Sequence, residues 1–359
     1  MMPDFLLRDA GSMSQSGLWA LIVVIAVLFV GTLVLSVYAV VMRSVHLVRE
    51  KKSTEMTERW RDPVLGAVAD PSLVPTVQAL VEEDDAIHFL SFVIEYARRV
   101  RGEERDILCA LAQPFLPRMA ERAHARSTEM RAWAVQMLGT LGLPEYAGEV
   151  VSALDDPSPL VAMVAARALA REETPQYAGE VLARLDRFDT WNPLFLASML
   201  AAMGPEVSGA LRDGLAAEDA TPGKRSVMAE ALRLQGDFLA GDVAAAVVSR
   251  TPDRDLLASG LKLLAAVGRP EHASVVRRHT DSGDAVIRAQ ALKALGALGG
   301  EEDVPTLVDA MDDPSPWPAL YAARGALNAG GREALARLIT QGHPSAHLAE
   351  QVLAEEGGR

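Results

Sequence analysis

The side chains able to do chemistry are few in this chain and mostly stand apart. His343 and His347 are four residues apart, a spacing that would put both on one helix face and suit a metal ion. Nothing beside them completes a ligand set, so the expectation there is a solvated terminal helix. The single cysteine, Cys109, lies in the apolar run Ile-Leu-Cys-Ala-Leu-Ala and reads as a small buried hydrophobe rather than a nucleophile. No Gly-rich phosphate loop, no G-x-S-x-G elbow and no H-E-x-x-H occurs. The expected catalytic, cofactor-binding and metal residues are therefore none, and no cofactor is expected. Two residue types recur in better order. Arg131, Arg225 and Arg288 share one position of a repeating pattern, and Trp133, Trp191 and Trp317 lie close to predicted helix starts. Trp317, flanked by prolines in Pro-Ser-Pro-Trp-Pro-Ala-Leu, is the expected exposed one and a candidate anchor for a protein partner.

The elements that must position these groups follow from that pattern. Met130 to Gly142 reads as Arg, Ala three residues on, Leu at seven and Gly at eleven. Arg131, Ala134, Leu138 and Gly142 fill this frame, and so do Arg288, Ala291, Leu295 and Gly299. Degraded copies bring its first positions to Arg131, Ala162, Pro193, Arg225, Leu257, Arg288 and Ala319, separated by 31, 31, 32, 32, 31 and 31 residues. Positions zero, three and seven share one helix face, Leu at seven fills the seam, and Gly at eleven stops the helix. A second amphipathic stretch follows each copy, as in Tyr146 to Val150 and Tyr177 to Val181, both Tyr-Ala-Gly-Glu-Val. Asp-Asp-Pro-Ser-Pro closes two units, at Asp155 to Pro159 and Asp312 to Pro316, supplying capping residues and a Pro for the next first turn. The expected unit is helix, short turn, helix, short turn, stacked into a quasi-linear array.

From Met130 to Ile339 this pattern resembles the HEAT-repeat family, particularly bacterial HEAT-like repeats of the phycobilisome-lyase type. The residues carrying the resemblance are an apolar residue before Arg (Met130, Ile287), Ala three on, and the closing Leu-Gly-x-Leu-Gly. It implies an all-α solenoid whose frame arginines ladder with acidic residues of the inter-helix turns; Asp284 stands four residues before Arg288. The family's di-iron hydroxylases need repeated His-Glu pairs, and this chain has only Glu271-His272 in reverse order. HEAT arrays serve mostly as scaffolds, so the resemblance speaks for fold more than for activity.

Ahead of the array, Leu18 to Met42 runs for 25 residues without a charge, enough to cross a hydrocarbon core of about 30 Å. The lead-in at residues 1–17 carries Asp4, Arg8 and Asp9, unlike a cleavable signal peptide, so residues 18–42 are expected to remain as a transmembrane helix. Arg43, Arg49, Lys51, Lys52, Arg59 and Arg61 follow the span against Arg8 before it, which puts the array in the cytoplasm and the N-terminus outside. Residues 43–62 read as a juxtamembrane helix, whose basic residues either touch anionic headgroups or form a solvated stalk. Pro63, Pro71 and Pro75 mark a boundary. Divergent helical repeats are expected over 63–129, the regular repeats over 130–342, and a capping helix with a charged tail over 343–359.

Half of the residues are hydrophobic with few aromatics, as closely packed helix pairs require. The net charge of −13 argues against nucleic acid, and one cysteine excludes a disulfide framework. The resulting expectation is a non-enzymatic, membrane-anchored adaptor for a protein of the cytoplasmic membrane. A resemblance to anchored HEAT proteins that accompany bacterial glycosyltransferases suggests polysaccharide synthesis or export as its setting. The alternative class is a lyase-like HEAT enzyme or subunit acting on a protein-bound cofactor, which a visible absorption spectrum would reveal.

Overall fold

A computed structural model of the chain describes residues 58–171 and 174–357, together with Thr32 and Ser36, both helical and exposed. All regular structure among the described residues is helical, with no strand. Apart from Thr32 and Ser36, the expected span from Leu18 to Met42 lies outside the described residues, as does most of the juxtamembrane stretch. Among the described residues, no single helix is long and apolar enough to cross a membrane.

Two compact units divide the chain after Phe115. In the first, α1 is described over 58–69, followed by α2 (Val74–Ala79), α3 (Ala86–Ala97) and α4 (Glu103–Ala112). Trp60, Val64 and Ala67 recur at helical spacing and are buried. The Trp60 ring meets Phe89 edge-on at 5.1 Å, and Phe89 meets Phe115 at 5.5 Å. Helix α1 therefore runs straight through Asp62-Pro63, where a boundary was expected. Burying a large apolar side chain contributes about 1.5–3 kcal/mol, so several together offset the roughly 3 kcal/mol of a Pro inside a helix.

The second unit opens with α5 (Leu116–Arg122) and continues as seven two-helix repeats. They pair α6 (Thr128–Leu141) with α7 (Ala147–Ser152), α8 (Pro159–Leu169) with α9 (Ala178–Ala183), and α10 (Pro193–Ala201) with α11 (Ser208–Ala216). Next come α12 (Pro222–Gln235) with α13 (Gly241–Arg250), and α14 (Arg254–Val267) with α15 (Ala273–Arg277). Then α16 (Ala285–Leu298) pairs with α17 (Val304–Asp309), α18 (Pro316–Asn328) with α19 (Arg332–Thr340), and α20 (Ala346–Gly357) packs against α18 and α19. Helix α6 packs on α8, and α10, α12, α14, α16 and α18 stack in unbroken succession. The frame leucines Leu138, Leu169, Leu200, Leu232, Leu264 and Leu295 are all buried in this row.

Local chemistry explains where the first helices begin and end. Ser127, Asn192, Thr221, Asp253 and Asp284 each cap one by accepting backbone N–H bonds in its first turn. Arg131, Arg225, Leu257 and Arg288 lie four residues past these caps, and Pro193 only one past its own. Pro193 is the first residue of α10, not its fourth, because the turn after α9 is longer and α10 starts late. Gly142 and Gly236 end their helices in the left-handed conformation expected of a stop residue, at φ 65° and 67°. Gly299 does not, at φ −75°. There the requirement is space, since a Cβ would run into the Leu295 carbonyl and the Asp303 carboxylate.

Candidate interaction surface

The frame arginines close ion pairs between the turns, though not with the acid nearest in sequence. Arg131 donates from Nε to Asp156 Oδ2 at 2.7 Å and from Nη2 to Oδ1 at 2.9 Å, with Nη1 on the Ala125 carbonyl. Arg288 repeats this on Asp313 at 2.6 and 2.9 Å, with Nη1 on Ser282 O. Asp284, four residues before Arg288, instead caps α16 and pairs with Arg254. The two fork-bound carboxylates are only 9% and 8% exposed, and each also accepts the N–H of the residue capping the next first helix, Ser158 or Ser315. The hydrogen bond from Arg131 holds the Asp156 carboxyl below the usual carboxylate range, and Arg288 does the same for Asp313. A depressed folded pKa contributes stability that is complete above the unfolded value of about 4 and fades as pH falls through the folded value. The melting midpoint should therefore drop on acidification below about pH 4, and Asp156→Asn with Asp313→Asn should flatten that drop, as thermal melts across pH would show.

The residues singled out for chemistry do not assemble. Helix α20 begins at Ala346, so His343 sits in the preceding turn and shares no helix face with His347. His343 Nδ1 accepts from Ser345 N, and His347 Nδ1 faces the Pro344 carbonyl. Cys109 is 7% exposed in α4, and burial pushes its thiol pKa up, away from thiolate chemistry. Asp242, Glu271 and His272 do bring three ligand atoms within 4.8 Å of one another. The Arg269 guanidinium, however, already bridges Asp242 and Glu271, each at 2.7 Å. His272 Nδ1 accepts the Arg269 N–H at 3.0 Å, so the neutral ring carries its proton on Nε2, facing Asp242. That leaves no free ring lone pair, and the cluster reads as an ion-paired turn.

What the array does present is exposed apolar surface at the helix starts. Trp317 is 64% exposed, as its flanking prolines suggested. Pro316 opens α18, so Trp317 projects from the first turn, with Tyr321 one turn on and the ring centroids 6.2 Å apart. Lys293 of α16 stands over the Tyr321 ring at 5.7 Å. A shallow groove of about 260 Å³ runs between α16 and α18, lined by Val286, Ala289, Gln290, Trp317 and Tyr321. Trp191 and Phe195 make a similar i, i+4 pair at the start of α10, also 6.2 Å apart. Trp133 and Trp191 are half-buried. Sequence reasoning missed Phe238 and Leu239, 79% and 71% exposed between α12 and α13. They stand where other repeats carry Pro144-Glu145, Pro175-Gln176 or Pro270-Glu271, so aligning the copies would have exposed them.

A sequence profile for HEAT repeats matches residues 116–191 and 241–328, within this succession of stacked two-helix units. The two matches together span just under half of the chain, and over them it is similar to HEAT repeats. The interval between the matches begins with the late-starting α10 and includes α12. Similar solved structures include Kap121p bound to Pho4p, at 14% identity and a TM-score of 0.46, covering 81% of this chain and 39% of that one. Kap121p bound to RanGTP has 14% identity and a TM-score of 0.40, covering 79% and 35%. An engineered protein has 18% identity and a TM-score of 0.33, covering 58% and 95%. The chain thus spans well under half of Kap121p. No curated protein matches the sequence.

Proposed function

We propose that this protein is a non-enzymatic scaffold, anchored in the cytoplasmic membrane by Leu18 to Met42, whose HEAT repeats bind a membrane-associated protein on the cytoplasmic side. The observation that carries the binding role is the Trp317–Tyr321 groove. A large aromatic held out in solvent by a proline-started helix is costly to leave unpaired and suited to anchor a partner. The anchor rests on the uncharged run and the basic residues after it. Attachment confines the array to the membrane face and raises its effective concentration near membrane proteins. A membrane glycosyltransferase of polysaccharide synthesis is the partner class that the resemblance to anchored HEAT proteins suggests.

Two experiments test the two halves. Crosslinking in native membranes should capture a partner with the natural chain, and Trp317→Ala should reduce that capture by about 30-fold, the effect of an interface hot spot. Because Trp317 is exposed, its stability should change by less than about 0.5 kcal/mol. Undiminished capture would remove Trp317 from the surface. For topology, a cysteine at Ser14 should react with an impermeant reagent added to intact cells, and one at Ser53 should not. The reverse labelling would overturn the cytoplasmic placement.

A further inference from the structure

Arg225 holds the same place in α12 that Arg131 and Arg288 hold in α6 and α16, four residues past the N-cap (Thr221, Ser127 and Asp284). Its fork is not closed. The turns that close the other two forks read Asp155-Asp156-Pro157-Ser158 and Asp312-Asp313-Pro314-Ser315, whereas the turn after α13 reads Arg250-Thr251-Pro252-Asp253. Hydrogen bonding confirms the alignment, because Thr251 Oγ1 accepts the Asp253 N–H just as Asp156 and Asp313 accept those of Ser158 and Ser315. Thr251 thus keeps the turn and lacks the charge. Arg225 Nε donates to the Leu215 carbonyl at 2.9 Å, and among the described residues its two Nη atoms have no partner.

The open fork lines a groove of about 680 Å³, with Pro222, Val247, Arg250, Thr251 and Leu256. The acids of that groove are engaged elsewhere. Asp253 caps α14, Asp242 pairs with Arg269 and His272, and Glu218 reaches Arg250 at 3.3 Å.

We infer that Arg225 receives a carboxylate side chain from a bound peptide, which supplies in trans the group that Asp156 and Asp313 supply within the array. The two closed forks show the geometry, and planar guanidinium favours a paired carboxylate. Three acids stand in the groove against two arginines, which disfavours a dianionic phosphate relative to a single carboxylate. The apolar lining suits an acidic residue flanked by aliphatic ones. This inference rests on the reading of the array as a protein-binding scaffold.

The test uses the full chain in detergent and fluorescent, end-capped peptides of alternating Leu and Glu, Leu and Gln, or Leu and phosphoserine. At about 0.15 M salt, where charges beyond about 8 Å are screened, the Glu peptide should bind at least about tenfold more tightly than the Gln peptide. Thr251→Asp, which closes the fork internally, should erase that preference while leaving the melting midpoint at or above the natural one. Arg225→Gln should erase it as well. No preference in the natural chain, or a preference that survives in Thr251→Asp, overturns the inference. Tightest binding of the phosphoserine peptide, lost in both variants, overturns the carboxylate assignment. Membrane crosslinking of the same variants separates the two ideas: partner capture that persists while the fork shows no preference rejects the fork and leaves the scaffold standing.

Discussion

Gly296→Leu destabilises the array by about 3 kcal/mol, the upper end of what overpacking costs. Helices α16 and α18 cross with Gly296 against Gly325, and a Cβ built at Gly296 would strike the Gly325 backbone rather than a side chain. Backbone cannot swing aside as a rotamer can, so the two helices must separate and lose contacts along their length. The same position in α6, Gly139, lies against Ala168 of α8, which makes this the recurring crossing point of first helices. Gly283→Leu is the control, since a Cβ there meets nothing within 4 Å. It should stay within about 0.5 kcal/mol of the natural chain. Denaturant unfolding of both variants measures the difference, and equal stabilities would mean that the close crossing does not exist in solution.

Leu295→Ala has the other large effect, about 2–5 kcal/mol, because Leu295 is fully buried between neighbouring first helices and its removal leaves a cavity. Leu138→Ala, at 1% exposure, should fall in the same range. The spatial pattern of the damage matters as much as its size. Repeats contact only their neighbours, so amide exchange should accelerate around α14 to α18 in Leu295→Ala while α6 and α8 keep their protection. A uniform loss along the unit would mean that it unfolds as one globular core.

Much of this architecture is written locally. A helix face is set by side chains three and four apart, so the apolar frame announces α6 to α18, and its leucines are buried as their spacing requires. Caps are equally local, since Asp253 and Asp284 bond N–H groups two or three residues on. One case where the local pattern does not fix a helix start is α10, where the frame keeps its period and Leu200 is buried but the lengthened turn delays the first residue to Pro193. Another is His343 and His347, whose spacing suggests a shared helix face only if the helix has already begun.

By itself, then, the sequence determined the helical class, the period, the buried seam and the exposure of Trp317 between its prolines. Only the tertiary structure decided which groups meet across the period. Arg131 and Asp156 are 25 residues apart and become partners because the second helix folds back and returns the next turn to the first helix start. The Gly296–Gly325 crossing depends likewise on how two repeats stack, and neither glycine's own neighbours reveal it. The open fork at Arg225 is visible only against the two closed ones, as a difference of a single side chain at Thr251. Contacts within a helix follow from 3.6 residues per turn, whereas contacts between repeats depend on the lengths of the intervening turns and the depth of packing, quantities that a residue pattern constrains but does not state.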